Sequence, residues 1–186
     1  MEQAMTALDT GEPFTYDDLR SFPDDRYRRE LIDGQLIVSP SPVTLHQRCI
    51  TELLFLLRQA VPPHLEVLPG PVDLLFSQST VLVPDLVVVP TDQVGGPNLT
   101  RPPLLVVEVA SPSTRRTDRT LKLATYEAGR VPCYWLADPD GPSLTVLELA
   151  GDRYGDPVTI TGDQTWRAER PFPVEITPAR LIRRLD

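Results

Sequence analysis

Hydrophobic and polar positions alternate along this chain with two different periods. Between Thr44 and Ala60, apolar Leu45, Cys49, Leu53, Leu57 and Ala60 recur every three or four residues, which predicts an amphipathic helix ended by Pro62-Pro63. A short helix is predicted over Tyr16–Ser21, where Thr15 can cap the first turn and Asp17 and Asp18 lie within it. A third helix is expected from about Arg116 to Ala128, with Ser113 or Thr114 as cap and Gly129 as stop. Elsewhere the period is that of strands. Asp33-Gly34 is a two-residue turn signal between apolar strands around Leu31 and Leu36–Val38. Strands are also predicted from Leu65, over V-D-L-L-F, over V-L-V-P-D-L-V-V-V-P (81–90) and over P-L-L-V-V-E-V-A (103–110). V-P-C-Y-W-L-A-D-P follows as another buried strand, and S-L-T-V-L-E-L-A, with clean alternation, as an edge or half-exposed one. The remainder suggests a further hairpin and a short helix from Thr177-Pro178.

The runs at 81–90 and 103–110 are almost continuously apolar, the signature of strands covered on both faces. The order of elements therefore predicts an α/β fold with a central mixed sheet flanked by helices. At 186 residues the chain is expected to form one domain over 1–186, with 1–13 flexible or loosely attached.

Two acids interrupt these strands. Asp85 stands at the mouth of one apolar run and Glu108 inside the next. Desolvating a carboxylate costs several kcal/mol unless a cation or donors compensate it. Two such acids on neighbouring strands suggest a shared cation, and hard oxygen ligands suit Mg²⁺ or Mn²⁺ better than zinc. Taken singly, Asp85 also reads as a strand-start residue after Pro84, whereas the apolar run around Glu108 offers no salt-bridge partner.

Composition sharpens one position. Of 18 basic residues, 17 are arginine, and with 21 prolines the chain has a strong push towards Arg and Pro. Its one lysine, Lys122, lies on the helix after Glu108, where a compact ammonium or a tunable pKa has a use that arginine cannot fill. The net charge of −8 and a pI near 4.8 argue against strong non-specific binding to nucleic acid. No apolar run is long enough to span a membrane, and the first residues resemble no targeting signal, so a cytoplasmic protein is expected. Cys49 and Cys133 have no further partners for a disulfide framework or zinc cluster and read as small buried residues.

Pro84-Asp85 followed by Glu108 in V-V-E-V resembles the PD-(D/E)XK phosphodiesterase superfamily. The wider set is E-L-I-D-G (30–34), S-P-S-P-x-x-x-H (39–46), V-P-D-L-V-V-V, V-V-E-V-A-S-P-S-T-R-x-x-D-R-x-x-K (106–122) and Y-E-A-G-R-V-P-C-Y-W-L-A-D-P. It closely resembles a bacterial family of putative restriction endonucleases, formerly a domain of unknown function. The resemblance implies a restriction-endonuclease-like three-layer fold with N-terminal and C-terminal β-hairpins, acting as a Mg²⁺- or Mn²⁺-dependent endonuclease on nucleic acid, DNA foremost, and working as a homodimer. A catalytically inactive module that binds nucleic acid or a protein partner is the alternative. By the same resemblance Asp85 and Glu108 are metal ligands with the carbonyl of Val109, and Glu30 is the N-terminal acid of the site. The superfamily's lysine position holds Ala110, and Lys122 on the following helix is the candidate to replace it. His46 reads as a helix-start or packing histidine, Tyr126 as a packing or orienting residue, and Asp118 as a partner for Lys122 across one turn. Arg115, Arg116 and Arg119 form a solvated helix face or meet phosphates.

Overall fold

The computed structural model describes residues 6–8, 11–23, 25, 27–111 and 118–183. In chain order its elements begin with β1 (Thr6–Leu8), α1 (Tyr16–Ser21), β2 (Arg28–Ile32), β3 (Gln35–Ser39), α2 (Thr44–Ala60) and β4 (Leu65–Pro69). They continue with β5 (Leu74–Ser77), β6 (Thr80–Leu82), β7 (Leu86–Pro90) and β8 (Leu105–Val109). A π-helical turn over Asp118–Lys122 leads into α3 (Leu123–Ala128). The chain then forms β9 (Cys133–Asp138), β10 (Ser143–Ala150), β11 (Arg153–Tyr154), β12 (Val158–Thr161), β13 (Trp166–Ala168) and β14 (Val174–Ile176).

The central sheet runs β11-β10-β9-β8-β7-β4, with β12 also pairing β10. It is mixed: β8 and β9 are parallel, while β7 pairs antiparallel with both β8 and β4. A second, five-stranded sheet runs β1-β3-β2-β6-β5, and β13 and β14 form a separate hairpin. The expected α/β sandwich with N-terminal and C-terminal hairpins is therefore present.

Period-two alternation gives the central strands two apolar faces. Leu86, Val88, Leu105, Val107, Val109 and Trp135 pack with Cys49, Leu53 and Leu57 of α2. Val87, Val89, Val106, Tyr134 and Leu136 face the other way, against Tyr126 of α3 and residues of the second sheet such as Ile37, Leu74 and Leu82. By the same parity, Asp85 and Glu108 lie on the face that α3 covers. Leu53 and Leu57 are fully buried, each contributing about 1.5–3 kcal/mol of apolar burial.

The first two helical predictions agree with the structure. Thr15 and Asp18 form a reciprocal capping box at α1, and α2 spans the predicted residues. The cap of α2 differs, since Val43 occupies that position without a side-chain bond. At the β2–β3 turn Asp33 and Gly34 have φ of 50° and 78°, the left-handed pair that a two-residue hairpin needs.

Other expectations are corrected. The run at 81–90 is two strands: Pro84 ends pairing with the second sheet, and the chain re-enters the central sheet at Leu86. β10 is half-exposed, as one of the two alternatives had it, but not an edge, because it pairs with β9 on one side and with β11 and β12 on the other. Thr6–Leu8, within the stretch expected to be loosely attached, run antiparallel to β3. The proposed caps Ser113 and Thr114 lie outside the described residues; within them the expected third helix is present, as a π turn over Asp118–Lys122 that continues into the α-helix Leu123–Ala128 and stops at Gly129.

Candidate active site

The crossing of the chain from β6 to β7 places Asp85 between the two sheets. β2 of the second sheet brings Arg28 and Glu30, two residues apart and so on one side of the strand. The register that pairs Leu86 with Val107, carried one step on, sets Asp85 opposite Glu108 of β8. From the other side, the π turn and α3 supply Lys122 and Tyr126, and the first turn of α2 supplies His46. A π turn inserts one extra residue per turn, a device common at functional sites, and here it ends on Lys122.

Glu30, Glu108 and Lys122 are each 1% exposed, Asp85 5% and His46 4%. Lys122 Nζ lies 2.9 Å from Glu30 Oε1 and 3.0 Å from Glu108 Oε1. Tyr126 Oη donates to the same Glu108 oxygen at 2.6 Å, and the Val83 amide donates to Glu30 Oε1 at 2.8 Å. Asp85 Oδ2 accepts from the Val109 amide at 2.8 Å, while its Oδ1 lies 2.8 Å from Arg28 Nη1 and 3.4 Å from His46 Nε2. Arg28 also reaches Glu30, Nε to Oε2, at 3.8 Å.

These contacts shift the titration of Asp85, Tyr126 and Arg28. Burial by itself would raise the Asp85 carboxyl, but the His46 imidazole, the Arg28 charge and the Val109 amide outweigh it and hold its pKa at about 2. Burial and then the Glu108 charge push the Tyr126 phenol well above its ordinary value, so it stays a donor. Arg28 loses hydration on burial, yet the carboxylates of Glu30, Asp85 and Glu108 more than restore its charged form. Three buried acidic side chains thus face the guanidinium of Arg28 and the amine of Lys122.

The sequence expectations fare as follows. Glu30, Asp85, Glu108, Lys122, Tyr126 and His46 come together, with the backbone of Val109 beside Asp85. Arg115 and Arg116 lie outside the described residues, as do the side chains of Asp118 and Arg119. Cys49 and Cys133 are buried free thiols. Arg28 was missed. It stands in an arginine-rich stretch that reads as surface, and its only signal is its place two residues before Glu30.

The donors suit a hard divalent cation in kind, being carboxylate and carbonyl oxygens. Among the described residues no three His, Cys, Asp or Glu stand ready to enclose a metal. Mg²⁺ does not require that, because it is ordinarily held through one or two carboxylates and keeps several waters. Asp85 and Glu108 supply two carboxyl groups of the kind it takes. Among the described residues no helix is long and apolar enough to cross a membrane.

A crystal structure at 1.96 Å resolution of a putative nuclease belonging to DUF820 from Anabaena variabilis superposes on this chain with a TM-score of 0.75. The two are 19% identical over 91% of this chain and 98% of the other, a likeness that carries the fold. No curated protein matches the chain. The family model described as Uma2, putative restriction endonuclease, matches residues 15–182, which include every acid of the cluster and Lys122. With that match over nearly its whole length, and a restriction-endonuclease-like fold around the buried acids, the chain belongs to the Uma2 family.

Proposed function

We propose that this protein is a Mg²⁺- or Mn²⁺-dependent endonuclease that hydrolyses phosphodiester bonds of DNA. The observation that carries the reading is the chain's one lysine, 1% exposed and within 3.0 Å of a buried glutamate on each of two sheets. A buried ammonium shared by two acids is expensive to desolvate, and burying apolar groups of the same volume is often as stable. A lysine in that place, in a chain that otherwise uses arginine, therefore supports a chemical role.

Asp85, Glu108 and the Val109 carbonyl would hold the metal, with Glu30 beside them. When bound, the metal would lower the pKa of a water and offset charge developing on the phosphate. Lys122 orients the attacking water and supplies positive charge next to the scissile phosphate. Tyr126 fixes the Glu108 carboxylate through its hydrogen bond, and the Val109 amide fixes Asp85. A homodimer is the assembly that the family resemblance implies.

The test is cleavage of plasmid DNA and of an RNA of equal length, each with Mg²⁺ or with EDTA. Cleavage of DNA that needs Mg²⁺ and disappears in Asp85→Ala and Glu108→Ala is expected. Cleavage that persists in EDTA, or survives both substitutions, contradicts the reading. Binding of DNA in EDTA with no cleavage under any metal would instead identify an interaction module.

A further inference from the structure

Arg28 differs from every other cation in the cluster. Its side chain is 24% exposed while that of Lys122 is 1% exposed, so of these two cations Arg28 is the one nearer to solvent. It holds Asp85 Oδ1 at 2.8 Å and lies 3.8 Å from Glu30, and its Nη1 also donates to the Val83 carbonyl at 3.3 Å. The Val109 amide already occupies Oδ2 of Asp85. Arg28 therefore stands on the oxygen through which Asp85 would meet a metal.

Without a metal, Asp85 needs a counter-charge, because a buried carboxylate lacking one is strongly unfavourable. Arg28 supplies it. Adding a divalent ion would place two more positive charges among three carboxylates that already face Arg28 and Lys122. Lys122 is enclosed between two acids on different sheets, whereas Arg28 hangs on a long stem at the first residue of β2, so Arg28 is the group free to leave. A guanidinium turned outwards presents a planar fork of donors matched to a phosphate.

We propose that Arg28 is an exchangeable cation. It holds Asp85 and Glu30 in the metal-free protein and moves to a phosphate of the substrate when metal binds. This rests on the metal-dependent nuclease reading and adds to it a residue that prepares the site and then grips the nucleic acid.

Arg28→Met keeps the stem and removes the charge, and Arg28→Lys keeps the charge. The full-length chain would be titrated with Mn²⁺ alone by calorimetry, and with a DNA duplex in Ca²⁺ over a range of salt concentrations. Arg28→Met should bind Mn²⁺ about tenfold more tightly, the scale of losing one close charge competitor. It should bind the duplex about tenfold more weakly, with the slope of log affinity on log salt reduced by about one. Arg28→Lys should keep the wild-type slope. Opposite shifts of this kind do not arise from a merely structural residue. Equal or weaker Mn²⁺ binding in Arg28→Met, or an unchanged salt slope, overturns the proposal. Should Arg28→Met fold only with Mn²⁺ present, the metal has replaced the guanidinium as expected; failure to fold even with saturating Mn²⁺ counts against it. If wild type and variant both ignore Mn²⁺, the metal reading falls together with this one. If wild type binds Mn²⁺ and the variant binds it no better, only the role of Arg28 falls.

Discussion

Glu30 and Glu108 depend on Lys122 for charge balance, so their energetics are coupled. Removing one partner of a buried ion pair leaves an uncompensated charge, and Lys122→Ala should lose about 3 kcal/mol of stability in urea denaturation. Tyr126→Phe, which deletes a hydrogen bond to a carboxylate, should lose about 2 kcal/mol in the same measurement. Acid tests Asp85 in the metal-free protein. Its folded pKa of about 2 lies below the ordinary 3.8, so the folded state binds fewer protons in that interval. The resulting stability, about 2 kcal/mol, is complete above pH 4 and is lost as the pH falls towards 2. Denaturation curves at pH 5, 3 and 2 should show that loss, and Asp85→Asn should lose less over the same interval. At this scale the sequence was informative where a residue broke its local pattern: an acid in an apolar strand, one lysine among many arginines. Arg28 broke no pattern, since its role comes from a strand in the other sheet meeting Asp85.

Among the elements, α2 and α1 were legible because their signals are local, apolar spacing in one and a Thr15 cap followed by acids in the other. The buried stripe of α2 should be sensitive and its outer face should not. Leu53→Ala should cost about 2–5 kcal/mol, while Phe55→Ala, at a side chain 58% exposed, should change stability by less than about 0.5 kcal/mol in thermal or chemical melts. The run from Val81 to Pro90 was legible in character and not in connectivity. Apolar residues on both sides of Pro84 look like one strand, and only the packing of two sheets decides that β6 joins one and β7 the other. That unpredicted crossing is what sets Asp85 at the junction. The π turn was equally invisible, because the residues around Lys122 have ordinary helical propensity.

For the molecule as a whole, the restriction-endonuclease-like arrangement was legible from element order and from the resemblance of its joined motifs, while the five-stranded second sheet was not, being assembled from short strands far apart in sequence. The protein's acidity leaves nucleic-acid affinity to local features, so duplex binding should rise when metal offsets the buried carboxylates. Metal that binds only the folded state also stabilises it: Mn²⁺ at about 100 times its dissociation constant should add about 2.7 kcal/mol. For a chain of this size that raises the melting temperature by about 5–10 °C. The gain should be absent in Glu108→Ala by differential scanning fluorimetry. The most direct test of the central claim is single-turnover cleavage of supercoiled plasmid in Mg²⁺ by wild type and by Lys122→Ala shown to be folded by circular dichroism. The account predicts that wild type nicks or linearises the plasmid and that the variant is slower by about 10² or more. A folded Lys122→Ala protein cutting at the wild-type rate would contradict it.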